Sequence, residues 1–308
     1  MKFGLLEKHK KRNTNKMKKL IYLFTMAILM FSCASNKSGN ENDGKPVITV
    51  SILPQKTFVE KIGGDDFKVN VLIPPGSSPA AYTLLPSQLK DIANSEVWFR
   101  IGYIGFEHSW KEKIQQANED MQVVDLSEGL DLIAENKVQH GDHFHAEGVD
   151  PHVWLSPQLV KRMAKKITDV LSDLKPERTS EYRSNYMEFV KEIDRLDIEI
   201  KNSLRPYKNR KIITFHPSLS YYARDYGIEQ ISLESGGKEP TPQHLTRVVK
   251  LAKEENLRVI YIQSEFDRDH ARVFAEEIDG EIIQVAPLDP HWAENLREIT
   301  NIFIDNFE

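Results

Sequence analysis

Histidine is concentrated in one part of this chain. Ten histidines occur among 308 residues, and five of them lie between positions 108 and 152. His140, His143 and His145 form the run HGDHFH, and His152 follows in the sequence DPHVW. Neutral imidazole is a preferred ligand of zinc and related metals at pH 7. The run therefore indicates metal binding, although a polar loop that is rich in histidine by chance would have the same composition.

Other candidate ligands follow segments that we predict to be β-strands. His216 comes directly after the strand-like IITF, Glu265 follows VIYIQ, and Asp289 and His291 follow IIQVAPL. Open parallel sheets bind their ligands beyond the carboxyl ends of the strands. This rule favours His152 and His216 as the two principal metal ligands, one in each half of the chain.

Hydrophobic patterning predicts the elements that must position these residues. Strand-like and helix-like segments alternate over residues 47–174 and again over residues 212–307, which predicts mostly parallel sheets flanked by helices. Between them, residues 176–205 carry apolar side chains at spacings of three and four, which predicts one helix of roughly 43 Å. We predict an α/β fold with two lobes joined by this helix; a single domain with a long peripheral helix is the alternative.

The amino-terminal residues are typical of a secretory signal. Met17 and two lysines precede an apolar run over residues 20–31, which is shorter than the roughly 20 residues that span a bilayer. Cys33, the only cysteine, ends this run at a position that resembles a lipobox, so we predict that it carries a lipid. A free thiol in a cleaved signal peptide is the alternative, and the true start is Met1 or Met17.

Charge and composition complete the predicted organisation. Residues 1–32 hold eight of the basic residues and one acidic residue. Without them, the formal net charge changes from −5 to −12. Such an acidic chain disfavours nucleic-acid binding. We predict a signal with a lipobox at residues 1–33, a flexible tether at 34–45, metal-binding lobes at 46–175 and 207–308, and the linking helix at 176–206.

Several motifs make a resemblance specific, and together they span nearly the whole chain after the signal. They are PPGSSP at 74–79, PSQL at 86–89, IGYIGFEHSW at 101–110, VDPHVWLSP at 149–157, FHPSLSYYARDYG at 215–227, KEPTPQHL at 238–245 and the pair Pro287-Leu288. The chain resembles the zinc- and manganese-uptake solute-binding proteins of bacterial ABC transporters, the ZnuA-like family.

The resemblance implies a receptor that captures a divalent transition metal and delivers it to an ABC permease in the membrane. It implies Zn²⁺ as the cargo, with Mn²⁺ or another transition metal possible, and a monomer in the cell envelope, either periplasmic or as an extracytoplasmic lipoprotein. It also implies two lobes and a long backbone helix. The histidine-rich insert at His140, His143 and His145 resembles that of the zinc-specific members, and we expect it to act as a low-affinity collector of zinc.

Two positions depart from the family pattern. Ala80 stands where the family has its first histidine ligand, and Ala286 stands where it usually has an acidic ligand. His152 and His216 alone would make a weak zinc site, because zinc prefers four ligands in a tetrahedron. The candidate substitutes are Glu265, Asp289, His291, and His143 or His145 reaching back from the insert, with Glu107 a weaker candidate.

Two other functions remain open at this point. A metal chaperone or an adhesin on the same scaffold has no separate sequence signal. A zinc hydrolase would use Glu265 or Glu107 as its base, but the chain has no HExxH, nucleophile elbow or phosphate-binding glycine loop. We therefore predict that the protein is not an enzyme.

Overall fold

Two four-stranded parallel sheets organise the chain. The computed structural model describes residues 44–134, 148–234 and 240–307. The first sheet has the order β2-β1-β3-β4 and the second has β6-β5-β7-β8, with every neighbouring pair parallel. The strands are β1 (Val47–Val50), β2 (Lys68–Val71), β3 (Ser95–Arg100), β4 (Gln122–Asp125), β5 (Lys211–Thr214), β6 (Glu229–Ser232), β7 (Val259–Gln263) and β8 (Glu281–Val285).

Helices connect these strands, as parallel pairing requires. In the first half they are α1 (Leu53–Gly63), α2 (Pro86–Ile92), α3 (Gly105–Ala117) and α4 (Pro157–Leu174). In the second half they are α6 (Ser220–Tyr226), α7 (Pro242–Glu254), α8 (Asp269–Glu277) and α9 (Trp292–Ile304). All four residues of β1 are buried, which is typical of a strand in a sheet covered on both faces.

The long helix α5 (Thr179–Leu204) lies between the two halves in the sequence. It contains 26 residues and follows a short 3₁₀ turn at Pro176–Arg178, so the predicted helix is confirmed except for its first turn. Its buried side chains, among them Phe189, Ile193 and Leu196, recur every three to four residues. It packs against α1 and α4 of the first half and against α6 and α9 of the second, which explains its length.

The two halves share one compact unit, residues 45–308. Two tryptophans join them: Trp154 Nε1 donates to the carbonyl of Pro287 at 2.9 Å, and Trp292 Nε1 donates to the carbonyl of Trp154 at 2.6 Å. Tyr221 adds a hydrogen bond from its hydroxyl to the carbonyl of Asp150 at 2.7 Å. The predicted α/β architecture is confirmed, and the exact lobe boundaries remain predictions.

Three predicted features lie outside the described residues. They are the signal with Cys33, most of the tether, and the insert with His140, His143 and His145. None of the described helices is both long enough and apolar enough to span a bilayer.

Candidate metal site

Four neighbouring strands of the second sheet place a residue at the same level, two positions beyond the strand end. Glu234 follows β6 in this way, His216 follows β5, Glu265 follows β7 and Pro287 follows β8. All four line one cleft. The parallel pairing of β5 with both β6 and β7 brings these residues together, as expected for ligands beyond strand ends.

The first half contributes His152 to the same cleft. It lies at the start of a 3₁₀ turn (Val153–Leu155) that leads into α4. Asp150 orients it, because its Oδ1 accepts hydrogen bonds from the backbone N–H of His152 at 2.9 Å and pairs with Nδ1 at 2.8 Å. Burial acts to raise the pKa of Asp150. The charge and hydrogen bonds of His152 lower this pKa by more than burial raises it, so the pKa lies below its ordinary value.

His216 is held in the same manner by a carboxylate of its own sheet. Its Nδ1 pairs with Oε2 of Glu234 at 2.7 Å, and its ring stacks on Phe266 with centroids 5.8 Å apart. The rings of His152 and His216 lie 5.4 Å apart at an angle of 71°. Two imidazoles on one tetrahedral zinc, with Zn–N bonds of about 2.0–2.1 Å, place their ring centroids roughly 5 Å apart. The two histidines therefore lie at a spacing that suits one shared ion.

We call this space the histidine cleft; it has a volume of about 310 Å³. Its lining includes both histidines, Glu234, Gln263 and Glu265, and no lysine or arginine occurs among the described residues that line it. Such a lining favours a cation. Burial raises the pKa of Glu265, and Ser264 donates its hydroxyl to Oε1 of Glu265 at 2.9 Å.

The described histidine, aspartate and glutamate side chains do not identify a third or fourth ligand for a metal ion in the cleft. Within residues 44–134, 148–234 and 240–307, no group of three or more His, Cys, Asp and Glu residues is arranged to hold a metal ion. Ala80 lines the cleft as one of its walls, and Ala286 lines an adjacent cavity. The predicted ligand set beyond the two histidines thus stays a prediction.

Asp289 and His291 lie apart from the two cleft histidines. Asp289 lines the adjacent cavity of about 150 Å³, together with Glu265. Its Oδ1 accepts the backbone N–H of His291 at 2.7 Å, a local turn that precedes α9, and the His291 side chain is 80% exposed. Among the predicted substitutes that the structure describes, Glu265 is the one that lines the same cleft as His152 and His216.

Glu107 lies inside the protein instead of lining the cleft. Its carboxylate accepts the backbone N–H groups of Ile101 at 2.8 Å and Gly102 at 2.5 Å, directly after β3. The side chain is fully buried, and this burial raises its pKa to about 7 against the lowering effect of its hydrogen bonds. These contacts favour a structural role for Glu107.

Sequence reasoning missed Asp150 and Glu234, the carboxylates that pair with the two histidines. Glu234 had a usable signal, because it stands as far beyond β6 as His216 stands beyond β5. Asp150 precedes His152 by two residues in DPHVW, a spacing that permits the carboxylate to reach Nδ1.

Comparison with known proteins identifies the family. The family model described as zinc-uptake complex component A, periplasmic, matches residues 48–305. The chain belongs to this family. It is similar to the high-affinity zinc uptake system protein ZnuA of Bacillus subtilis, with 26% identity over 276 residues that cover 85% of this chain and 86% of the relative.

Two further matches bear on the cargo and the location. The manganese-binding lipoprotein MntA of Halalkalibacterium halodurans is 24% identical over 306 residues, covering 94% of this chain and 98% of the relative. The crystal structure of a zinc-bound ZnuA deletion mutant superposes with a TM-score of 0.80 at 36% identity, covering 86% of this chain and 98% of that chain. The predicted family and fold are confirmed.

Proposed function

We propose that this protein is a receptor of the cell envelope that captures zinc in the histidine cleft and delivers it to an ABC permease. The observation that carries the proposal is the pair His152 and His216, drawn from the two halves, with rings 5.4 Å apart. Membership in the zinc-uptake family supports the transport role, since this is a family of metal-binding receptors and not of enzymes.

The chemistry of the two rings supports the choice of ligand atom. Each Nδ1 pairs with a carboxylate, so the neutral ring donates its Nδ1–H there and keeps the lone pair on Nε2. A divalent ion in the cleft would bind both Nε2 atoms, with Glu265 as the candidate carboxylate ligand. Imidazole ligands favour zinc over manganese, which prefers oxygen donors, and Mn²⁺ remains the second candidate cargo.

The amino-terminal sequence supports a location at a membrane. We propose that Cys33 carries a lipid and that residues 34–45 tether the folded unit to a membrane. The signal-like run before Cys33 supports this proposal, as does the similarity to the lipoprotein MntA. Metabolic labelling with a radioactive fatty acid tests it: wild type should incorporate the label, and Cys33→Ser should not.

Zinc binding by the purified protein tests the receptor function. In calorimetric titrations of residues 34–308 at pH 7.5, we expect one tight zinc site in the wild type. His152→Ala and His216→Ala should each weaken it by roughly 100-fold or more, because loss of a ligand exceeds the 10- to 100-fold effect of losing a ligand's partner. His108→Ala replaces an exposed histidine outside the cleft and serves as the matched control.

Delivery to a permease needs a separate measurement. Cells that carry a cognate permease and ATPase but lack a receptor should take up zinc only when the wild-type protein is supplied. The double variant of His152 and His216 should not restore uptake. If that variant retains tight zinc binding, the proposed function is wrong.

A further inference from the structure

The hydroxyl of one buried tyrosine stands between two backbone groups beside the histidine cleft. Ala134 and Val149 form an antiparallel β-bridge. At the next facing pair, the N–H of Asp150 donates to the carbonyl of Ile133 at 2.9 Å, and a regular antiparallel pair would exchange a second bond of this kind. The Tyr221 hydroxyl takes its place, because it accepts the N–H of Ile133 at 3.1 Å and donates to the carbonyl of Asp150 at 2.7 Å. Tyr221 therefore sets how far apart these two backbone segments stand.

Tyr221 belongs to the half of the protein opposite to Asp150. It lies on α6, five residues after His216, and its side chain is completely buried. The segment between them is stiff, because Pro217 has a fixed φ angle and the N–H of Ser218 donates to the carbonyl of His216 at 2.8 Å. Burial raises the pKa of Tyr221, so its hydroxyl keeps the proton that it donates.

Asp150 connects this hydroxyl to the other cleft histidine. Tyr221 binds its carbonyl, while its carboxylate accepts the backbone N–H of His152 at 2.9 Å and pairs with Nδ1 of that ring at 2.8 Å. Asp150 is buried, so a shift of its backbone must move the carboxylate and turn the imidazole that it holds. The placement of the His152 ring relative to His216 thus depends on Tyr221.

We infer that Tyr221 is a positioning residue, whose hydroxyl holds Asp150, and through it the ring of His152, at the spacing from His216 that suits one shared ion. This inference rests on the proposed zinc-receptor function and names how the second half aligns a ligand of the first. Tyr221 is not part of the cleft lining, so it acts only through Asp150.

Tyr221→Phe tests this role, because it keeps the buried ring and removes only the hydroxyl. The N–H of Ile133 and the carbonyl of Asp150 can then regain partners only by moving toward each other, which displaces the group that holds His152. The zinc dissociation constant should rise by about 10-fold, the lower end of the range for residues that orient metal ligands. Calorimetric titration of residues 34–308 at pH 7.5 measures this change.

Tyr222→Phe is the matched control for this substitution. Tyr222 is the next residue of α6 and is also completely buried, but its hydroxyl bonds to the hydroxyl of Thr300 at 2.6 Å instead of to a residue of the cleft. Both variants should melt below wild type in a chelator, since each loses a buried hydroxyl that makes hydrogen bonds. Only Tyr221→Phe should lose zinc affinity. Equal zinc affinities of the two variants would mean that Tyr221 contributes to stability alone.

The imidazole ¹⁵N signals of the metal-free protein provide a readout that needs no zinc. We assign them with His152→Ala and His216→Ala and expect Tyr221→Phe to shift the ring signals of His152, with smaller changes at His216. Tyr222→Phe should leave both rings unchanged. Unchanged His152 signals, or an unchanged zinc affinity of Tyr221→Phe, would overturn this inference while the receptor function stands. If the wild type binds no zinc, the proposed function fails, and the spectra still decide whether Tyr221 orients His152.

Discussion

A neighbouring carboxylate holds the ring of each cleft histidine in a fixed orientation. Asp150 and Glu234 fix the ring orientation and the tautomer of His152 and His216 through Nδ1. Both carboxylates are nearly buried, with side-chain exposures of 6% and 12%. Their charges also increase the basicity of the opposite ring nitrogen, which strengthens its bond to a metal. The proposed site would consequently depend on Asp150 and Glu234 as well as on the two histidines.

Glu234→Gln tests this dependence. The amide preserves the size of the side chain but removes the negative charge that polarises His216, so zinc affinity should fall by about 10-fold in calorimetric titrations. Glu229→Gln is the control, because Glu229 lies on the same strand with an exposed side chain and should leave affinity unchanged. Equal affinities of the Glu234 variant and wild type would show that the carboxylate only fills space.

Glu107 is a source of pH-dependent stability that is independent of the cleft. Burial raises its pKa from an ordinary value of 4.5 to about 7, so the folded protein binds this proton more tightly than the unfolded chain does. The sign follows directly: this group makes the free energy of unfolding decrease as pH rises from about 4.5 to about 7. The loss is on the order of 3 kcal/mol.

Urea unfolding at pH 5 and pH 8, in the presence of a chelator, measures this contribution. Wild type should lose more stability between the two pH values than Glu107→Gln, which cannot ionise at this position. The other titrating groups are common to both proteins, so the difference between the two pH dependences isolates Glu107. Parallel pH dependences would mean that its carboxyl titrates normally in the folded protein.

At the level of elements, the sequence predicted the strands and helices well, because the chain alternates buried strands with amphipathic helices. Strand β7 covers the predicted segment VIYIQ, and His216 and Glu265 lie beyond adjacent strands as expected. The pairing of His152 with Asp150 and of His216 with Glu234 was not predicted. Those contacts depend on loop geometry and sheet order, which hydrophobic periodicity does not determine.

The tryptophan contacts between the halves illustrate what periodicity cannot show. In a hydrophobicity pattern Trp154 and Trp292 count only as apolar residues. In the structure each donates its indole N–H to a carbonyl more than a hundred residues away in the sequence. Both side chains are almost completely buried. They position the 3₁₀ turn that carries His152 against the loop that follows β8.

Trp154→Phe tests the contribution of this contact to stability. Phenylalanine keeps an aromatic ring but leaves the buried Pro287 carbonyl without its donor, which should cost about 1–3 kcal/mol in the free energy of unfolding, together with a further loss from reduced packing. Equilibrium urea denaturation measures the change. Trp110→Phe, at a partly buried ring of helix α3, is the control and should have a smaller effect. A loss as small as that of the control would rule out an important role for this hydrogen bond.

The whole molecule is acidic and places its anionic cleft between the two halves. The formal net charge is −5 for the complete sequence, and no cationic side chain lines the cleft among the described residues. A field of this sign raises the local concentration of cations and speeds their capture at low ionic strength. The field alone does not select zinc, because it acts on all cations. Under the proposed function, selectivity for zinc would come from the two imidazoles and the groups around them.

We expect the histidine-rich insert to collect zinc with low affinity, separately from the tight site that we propose in the cleft. Its flanks are held together, because Ala134 and Val149 form an antiparallel β-bridge and Val149 lines the cleft. Deleting residues 141–146 leaves enough chain to connect these flanks. The zinc-loaded stoichiometry should therefore fall while the tight site of His152 and His216 persists. Replacing His140, His143 and His145 together by asparagine keeps the length of the insert and should reduce the stoichiometry equally, since imidazole supplies the weak sites. If titration finds one unchanged zinc site in the deletion variant and in wild type, the insert does not collect zinc.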